Sequence, residues 1–244
     1  MEILVLGVGE AADAEFPNAS VVVERDGYRV MIDCGHSVPP QLWRLLPDPD
    51  AIDALYFTHH HPDHCFGLVP ALIRWTDDRR AKPLDVVTTA EGWDQLRLLL
   101  AAGGIDPERG LPFALRRRET ESARSLGPFA VRFAETQHAL TNHAIRLEAG
   151  GRTFAYSGDG RPTPEALDLY RGCDLLFHEC YVRDDDPEMA FHCDVGSVRR
   201  LAAATGVGSV RLYHVRQDQR GPVGEAIADA PGIALAVPGE RIAL

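Results

Sequence analysis

"FTHHHPDHCFGL", residues 57–68, sets four of the chain's ten histidines and an aspartate within positions 59–64, directly after the apolar run "ALYF". The run "ALYFT" reads as a strand, and side chains two apart in an extended segment share a side. His59 and His61 therefore face one way and His60 the other. Pro62 stiffens the turn that follows. Asp63 and His64 stand at the expected start of a helix, where they can face a second ion. Imidazole nitrogen mixed with carboxylate oxygen suits zinc, with manganese or iron as substitutes, and does not suit calcium.

The rest of the chain agrees with an ordinary globular protein. Its 244 residues are 45% hydrophobic and 25% charged, so one domain spanning residues 1–244 with its own core is expected. The net charge is -11 and Lys82 is the sole lysine. Such a field repels polyanions, so a long nucleic acid is not an expected partner. "MEILVLGVGE" lacks a basic leader, and its apolar run is too short for a signal or a span; it reads as a first strand. A cytoplasmic protein with no membrane partner is expected. The five cysteines form no dense framework and read as reduced thiols, with Cys65 a small buried residue beside His64.

Strand patterns "EILVLGV", "SVVVERD", "GYRVMIDCG" and "ALYFT" open the first half, followed by helical "LVPALIRWT" and "AEGWDQLRLLLAAGG" around the strand "LDVVTTA". The second half repeats the order, from "FAVRFAETQ", "HAIRLEAG" and "RTFAYSGD" to helices in "TPEALDLYRG" and "DVGSVRRLAAATG", with "DLLFHECY" and "VRLYHV" as further strands. This arrangement predicts an αββα sandwich: two mixed β-sheets face to face with helices on the outer faces. Residues 10–19, 103–125 and 181–193 are expected loops.

Four donors rarely complete a two-metal site. Three further candidates stand where a strand gives way to a loop: His138 in "TQHALTNH", Asp159 in "YSGDGRP" and His214 in "LYHV". At one end of a sandwich such residues would converge.

The pattern H-x-H-x-D-H, a later lone histidine, "SGD" and a late histidine after a strand resemble the metallo-β-lactamase fold over nearly the whole chain. "MIDCG", "YSGDGRP", "FHECY" and "FHCD" resemble segments of its ribonuclease Z and related phosphodiesterase branch. The resemblance implies that His59, His61 and His138 hold one zinc, that Asp63, His64 and His214 hold a second, and that Asp159 bridges them. It also implies Glu179 as a supporting acid, His192 as a catalytic histidine, and homodimerisation. Two departures stand out. His138 and Asp159 are only 21 positions apart, leaving no room for the RNA-binding arm of ribonuclease Z, and "FHCD" lacks that branch's serine and threonine.

A bridged metal pair lowers the pKa of the water between them, so no serine or cysteine nucleophile is required. Asp63 would orient that water, and His192 would protonate the leaving oxygen. The expected activity is zinc-dependent hydrolysis of a small or nucleotide-type phosphodiester. The alternatives are hydrolysis of a carboxylic ester, lactone, thioester or β-lactam, ribonuclease Z-type processing of transfer RNA, and a non-catalytic metal-binding accessory role. His36 reads as a solvated turn residue, His143 as structural, His60 and His178 as pointing away, and Arg116–Arg118 as solvated surface.

Overall fold

A computed structural model describes residues 1–244. The alternation of apolar side chains decides its layers. In β1 (Glu2–Gly7), β2 (Ser20–Arg25), β3 (Tyr28–Ile32) and β4 (Ala54–Tyr56), residues Ile3, Val5, Val21, Val23, Val30, Ile32, Ala54 and Tyr56 enter one buried cluster. Their neighbours Leu4, Leu6, Val22, Met31 and Leu55 enter another. Period-two patterns that are apolar on both faces build a sheet covered on both sides. Parallel β5 (Leu84–Thr88) and β6 (Leu115–Glu119) extend this first sheet.

The second sheet takes β7 (Ser125–Leu126), β8 (Phe129–Gln137), β9 (Asn142–Ala149), β10 (Arg152–Tyr156), β11 (Arg161–Pro162), β12 (Leu175–Glu179), β13 (Ser209–Tyr213) and β14 (Ile233–Leu235). Its inward residues Ile145, Leu147, Phe154, Tyr156, Leu175, Phe177 and Tyr213 meet those of the first sheet in the shared cluster. The closing segment then crosses back, and β15 (Arg241–Ala243) pairs antiparallel with β1. A single run near the C-terminus thus ties both sheets together.

Helices cover the outer faces. α1 (Pro39–Leu45), α3 (Leu68–Asp77) and α4 (Ala90–Ala102) lay Leu42, Leu68, Leu72, Trp75, Trp93, Leu96 and Leu100 on the first sheet. Each such large side chain, fully buried, contributes about 1.5–3 kcal/mol. α5 (Pro164–Tyr170), α6 (Val195–Thr205) and α7 (Arg220–Ile227) cover the second sheet through Leu169, Tyr170, Val198, Leu201, Val223 and Ile227. Thr89, Thr163 and Asp194 each accept a bond from the amide three residues on, which starts α4, α5 and α6 at those points. No helix is long and apolar enough to cross a membrane.

The αββα sandwich is the architecture expected from the strand and helix order, and three local features stand out within it. α1 lies between β3 and β4, where the prolines of "SVPPQLWRLL" look like a loop but serve as first-turn residues. Residues 115–119, expected within a loop, form edge strand β6, because backbone pairing to β5 holds them while Arg116, Arg117 and Arg118 remain exposed. His192 lies outside any regular helix or strand. It lies before the α6 cap Asp194, after a short 3₁₀ turn at Pro187–Met189. Between His138 and Asp159 the chain holds only the β9–β10 hairpin, as its length implied.

Candidate metal centre

Strand direction brings the donors together. β3 and β4 run parallel in one sheet; β8, β10, β12 and β13 share one direction in the other. Their carboxyl ends open on the same side, which is where such sheets present ligand-binding residues. Asp33 follows β3, His59 follows β4, His138 follows β8, Asp159 follows β10, Glu179 ends β12 and His214 follows β13. Two bonds clamp the sheets at this rim: the His143 amide donates to the Thr58 carbonyl (3.0 Å), and the His214 amide to the Val8 carbonyl (2.8 Å). α2 (Pro62–Cys65) then turns Asp63 and His64 inward.

Two donor groups result. His59, His61 and His138 form the first, with His61 Nδ1 lying 3.1 Å from His59 Nε2 and 3.2 Å from His138 Nε2. Asp63, His64, Asp159 and His214 form the second. There His214 Nε2 is 3.2 Å from Asp63 Oδ2 and 3.3 Å from Asp159 Oδ2, and His64 Nε2 is 3.3 Å from Asp63 Oδ2 and 3.5 Å from Asp159 Oδ1. Asp159 Oδ2 also approaches His59 Nε2 at 3.9 Å, so this carboxylate stands between the groups. Donors placed tetrahedrally about 2.0–2.1 Å from one zinc lie about 3.3 Å from each other. The observed spacings fit.

Charge supports the same reading. Burial lowers His59, His61 and His138 below their ordinary value, so this trio is neutral and its lone pairs are available. Burial opposes charge on His64 and His214 too, but Asp159 and Asp63 outweigh it, lifting His64 well above its ordinary value and His214 to about 9. The carboxylates therefore draw in positive charge, which a divalent cation would supply. His64 Nε2 and Asp159 Oδ1 are buried without a hydrogen-bond partner and face each other across the second group. The donor set fits a pair of divalent metal ions.

Beside these groups, Glu179 Oε1 accepts from the Gly160 amide (3.1 Å), the Cys193 amide (3.1 Å) and His192 Nδ1 (3.3 Å). One carboxylate thereby joins the Asp159 turn to the His192 loop. Burial lowers the His192 ring's affinity for a proton, but the bond to Glu179 outweighs it and raises the pKa. His192 packs its edge against His138, with ring centroids 5.4 Å apart. All nine expected site residues thus meet at one rim. His60 turns away to Thr88 Oγ1 (3.1 Å), His178 lies on the outer face against Tyr170, and His36 is exposed.

The sequence matches the family described as Anti-Pycsar protein Apyc1 over residues 1–225. The chain belongs to that family. It is 24% identical to the probable metallo-hydrolase YhfI of Bacillus subtilis (strain 168), over 88% of this chain and 87% of the relative. It is 29% identical to the Anti-Pycsar protein Apyc1 of Bacillus phage 010DV004, over 74% and 77%. The crystal structure of the metallo-β-lactamase fold protein YhfI superposes with a TM-score of 0.83 at 20% identity, covering 99% and 98% of the two chains. Human tRNase Z, short form, superposes with a TM-score of 0.81 at 18% identity, covering 100% and 99%. The fold is the metallo-β-lactamase fold.

Two supporting residues had no role in the sequence reading. Asp33, buried and with φ of 60°, accepts from His64 Nδ1 (2.8 Å), from the Thr58 amide (2.8 Å) and from Thr58 Oγ1 (2.9 Å). Thr58 Oγ1, having donated its proton to Asp33, accepts from His59 Nδ1 (3.1 Å). These bonds select the tautomers that leave Nε2 of both His59 and His64 aimed at the donor groups. "MIDCG" carries the signal for Asp33, since an aspartate directly after a buried strand needs partners. Nothing local in the sequence marks Thr58. Gly158, at φ of 63°, is held where a Cβ would meet Asn142 and Thr58, so the Asp159 turn packs directly on this support.

Proposed function

We propose that the protein is a dinuclear zinc-dependent hydrolase that cleaves a small phosphodiester of nucleotide type. The observation that carries this reading is the Glu179-bound His192 ring beside the seven donors His59, His61, Asp63, His64, His138, Asp159 and His214. Of these, His59, His61 and His138 would hold one ion and Asp63, His64 and His214 the other, with Asp159 shared. Bound ions supply Lewis-acid activation of water and neutralise charge on a phosphoryl group.

The chain's own residues do the rest. Asp63 orients the attacking water. His192 holds a proton on the ring nitrogen remote from Glu179 and donates it to the departing alkoxide, a role worth typically 10²–10⁴ in rate. Glu179 aligns that ring and favours its protonated form. The short β9–β10 hairpin between His138 and Asp159 leaves the rim without a protruding arm, and the charge of -11 disfavours a long nucleic acid, so the substrate is small. The 27% sequence identity to a Ribonuclease Z, over 88% of this chain, supports a phosphodiester over an acyl substrate.

The test is a panel on the zinc-loaded protein with bis-p-nitrophenyl phosphate, cyclic nucleotides, short RNA and lactones side by side. Phosphodiester turnover that collapses in His192→Ala, while metal content stays intact, is the expected result. Turnover confined to lactones, or undiminished in His192→Ala, refutes it.

A further inference from the structure

The loop carrying His192 has no regular helix or strand to hold the imidazole in one orientation. Its backbone sits between the 3₁₀ turn at Pro187–Met189 and the α6 cap, and the side chain is 18% exposed. The bond from Nδ1 to Glu179 restrains the ring at one atom, leaving rotation about that bond open. A second restraint comes from Tyr181. Its ring stacks on His192 with centroids 4.5 Å apart and planes 23° apart. It also lies 5.8 Å from the ring of His214, whose plane is within 20° of that of His192. The His192 ring thus lies near parallel to each of the other two, while Tyr181 and His214 are tilted by 37° to one another.

Backbone bonds fix the stack. The Tyr181 amide donates to the Cys193 carbonyl (2.9 Å), the Arg216 amide to the Tyr181 carbonyl (3.0 Å), and Val182 bridges to Asp194. Tyr181 is therefore tied to both the residue after His192 and the segment after His214. We propose that Tyr181 is a positioning residue: its ring face sets the plane of the His192 imidazole and so aims the nitrogen remote from Glu179 at the space beside His138 and Asp159. Those three side chains offer donor atoms within 4.8 Å of one another, so a rotated ring would lose that aim. The contact is face to face, so a phenyl ring serves as well as a phenol. This inference rests on His192 as the proton donor of the preceding reading.

Two measurements on the full zinc-loaded chain test it. In kinetics with bis-p-nitrophenyl phosphate, Tyr181→Leu should lower kcat about 10- to 100-fold with KM within about twofold, and Tyr181→Phe should recover the loss. In proton–carbon NMR of the imidazole groups, assigned against His192→Ala, the His192 ring proton should lie upfield of an unstacked histidine in the wild type and in Tyr181→Phe, and move downfield in Tyr181→Leu. An unshifted His192 signal in the wild type overturns the proposal even where Tyr181→Leu does not fold. Full kcat in Tyr181→Leu, or a loss that Phe fails to recover, overturns it too. His192→Ala with undiminished turnover refutes the proton-donor reading itself. An inactive His192→Ala beside a fully active Tyr181→Leu refutes only the role of Tyr181.

Discussion

Asp33 Oδ2 lies 2.8 Å from His64 Nδ1 and, through Thr58 Oγ1, supports His59 as well, so one buried carboxylate orients a histidine in each donor group. Partners of this kind typically change metal affinity 10- to 100-fold when removed. Asp33→Asn should therefore weaken zinc binding by about that factor, read by competition with a coloured chelator. Unchanged affinity would show that packing alone holds these rings.

Asp159 is the one carboxylate facing histidines of both groups, at 3.9 Å from His59, 3.5 Å from His64 and 3.3 Å from His214. Asp159→Ala is expected to leave less than about one metal per chain by plasma emission, whereas His61→Ala, which alters only the first group, should retain the second ion. Equal metal content in the two variants would contradict the bridging role.

Asp194 caps α6 just after the His192 loop, accepting from the Ser197 amide (2.9 Å) and hydroxyl (2.5 Å). Burial would raise its carboxyl, but these bonds outweigh it and hold the group below the usual carboxylate range. A depressed folded-state pKa contributes stability above the unfolded value, about 3.9, and that contribution disappears as pH falls through the folded value. Asp194→Ala should cost about 1 kcal/mol at neutral pH. In denaturant melts the wild type and the variant should begin to converge as pH falls below about 4 and meet only below the lowered folded-state value. A constant difference down to strong acid would rule out the charged cap.

Arg80 is 2% exposed, and its guanidinium donates to the carbonyls of Lys82, Pro49, Ile52 and Pro83 at 2.6–3.0 Å while lying over Trp75 and Phe113. It fastens the segment entering β4 to the segment entering β5. Arg80→Leu leaves those carbonyls without their donor and should cost at least about 3 kcal/mol. Calorimetry showing a loss below about 1 kcal/mol would mean that water replaces the guanidinium freely.

The sandwich and the donor set were legible in the sequence for a local reason. Period-two alternation and strand-end placement are properties of short segments, and His59, His61, Asp63 and His64 sit close enough in the chain for backbone geometry alone to point them inward. α1 and β6 were not legible, because first-turn prolines resemble loop prolines and an exposed arginine-rich edge strand is held by backbone pairing rather than by burial.

The chain's own residues determined which side chains stand at strand ends and therefore which could reach a common rim. Only the tertiary structure decided that Asp33 supports both donor groups, that Glu179 joins the Asp159 turn to the His192 loop, and that Tyr181 lies flat on His192. Each of those relationships joins residues with no local pattern linking them, from 11 positions apart for Tyr181 and His192 to 31 for Asp33 and His64, and each depends on how the loops that leave neighbouring strands of one sheet pack against each other.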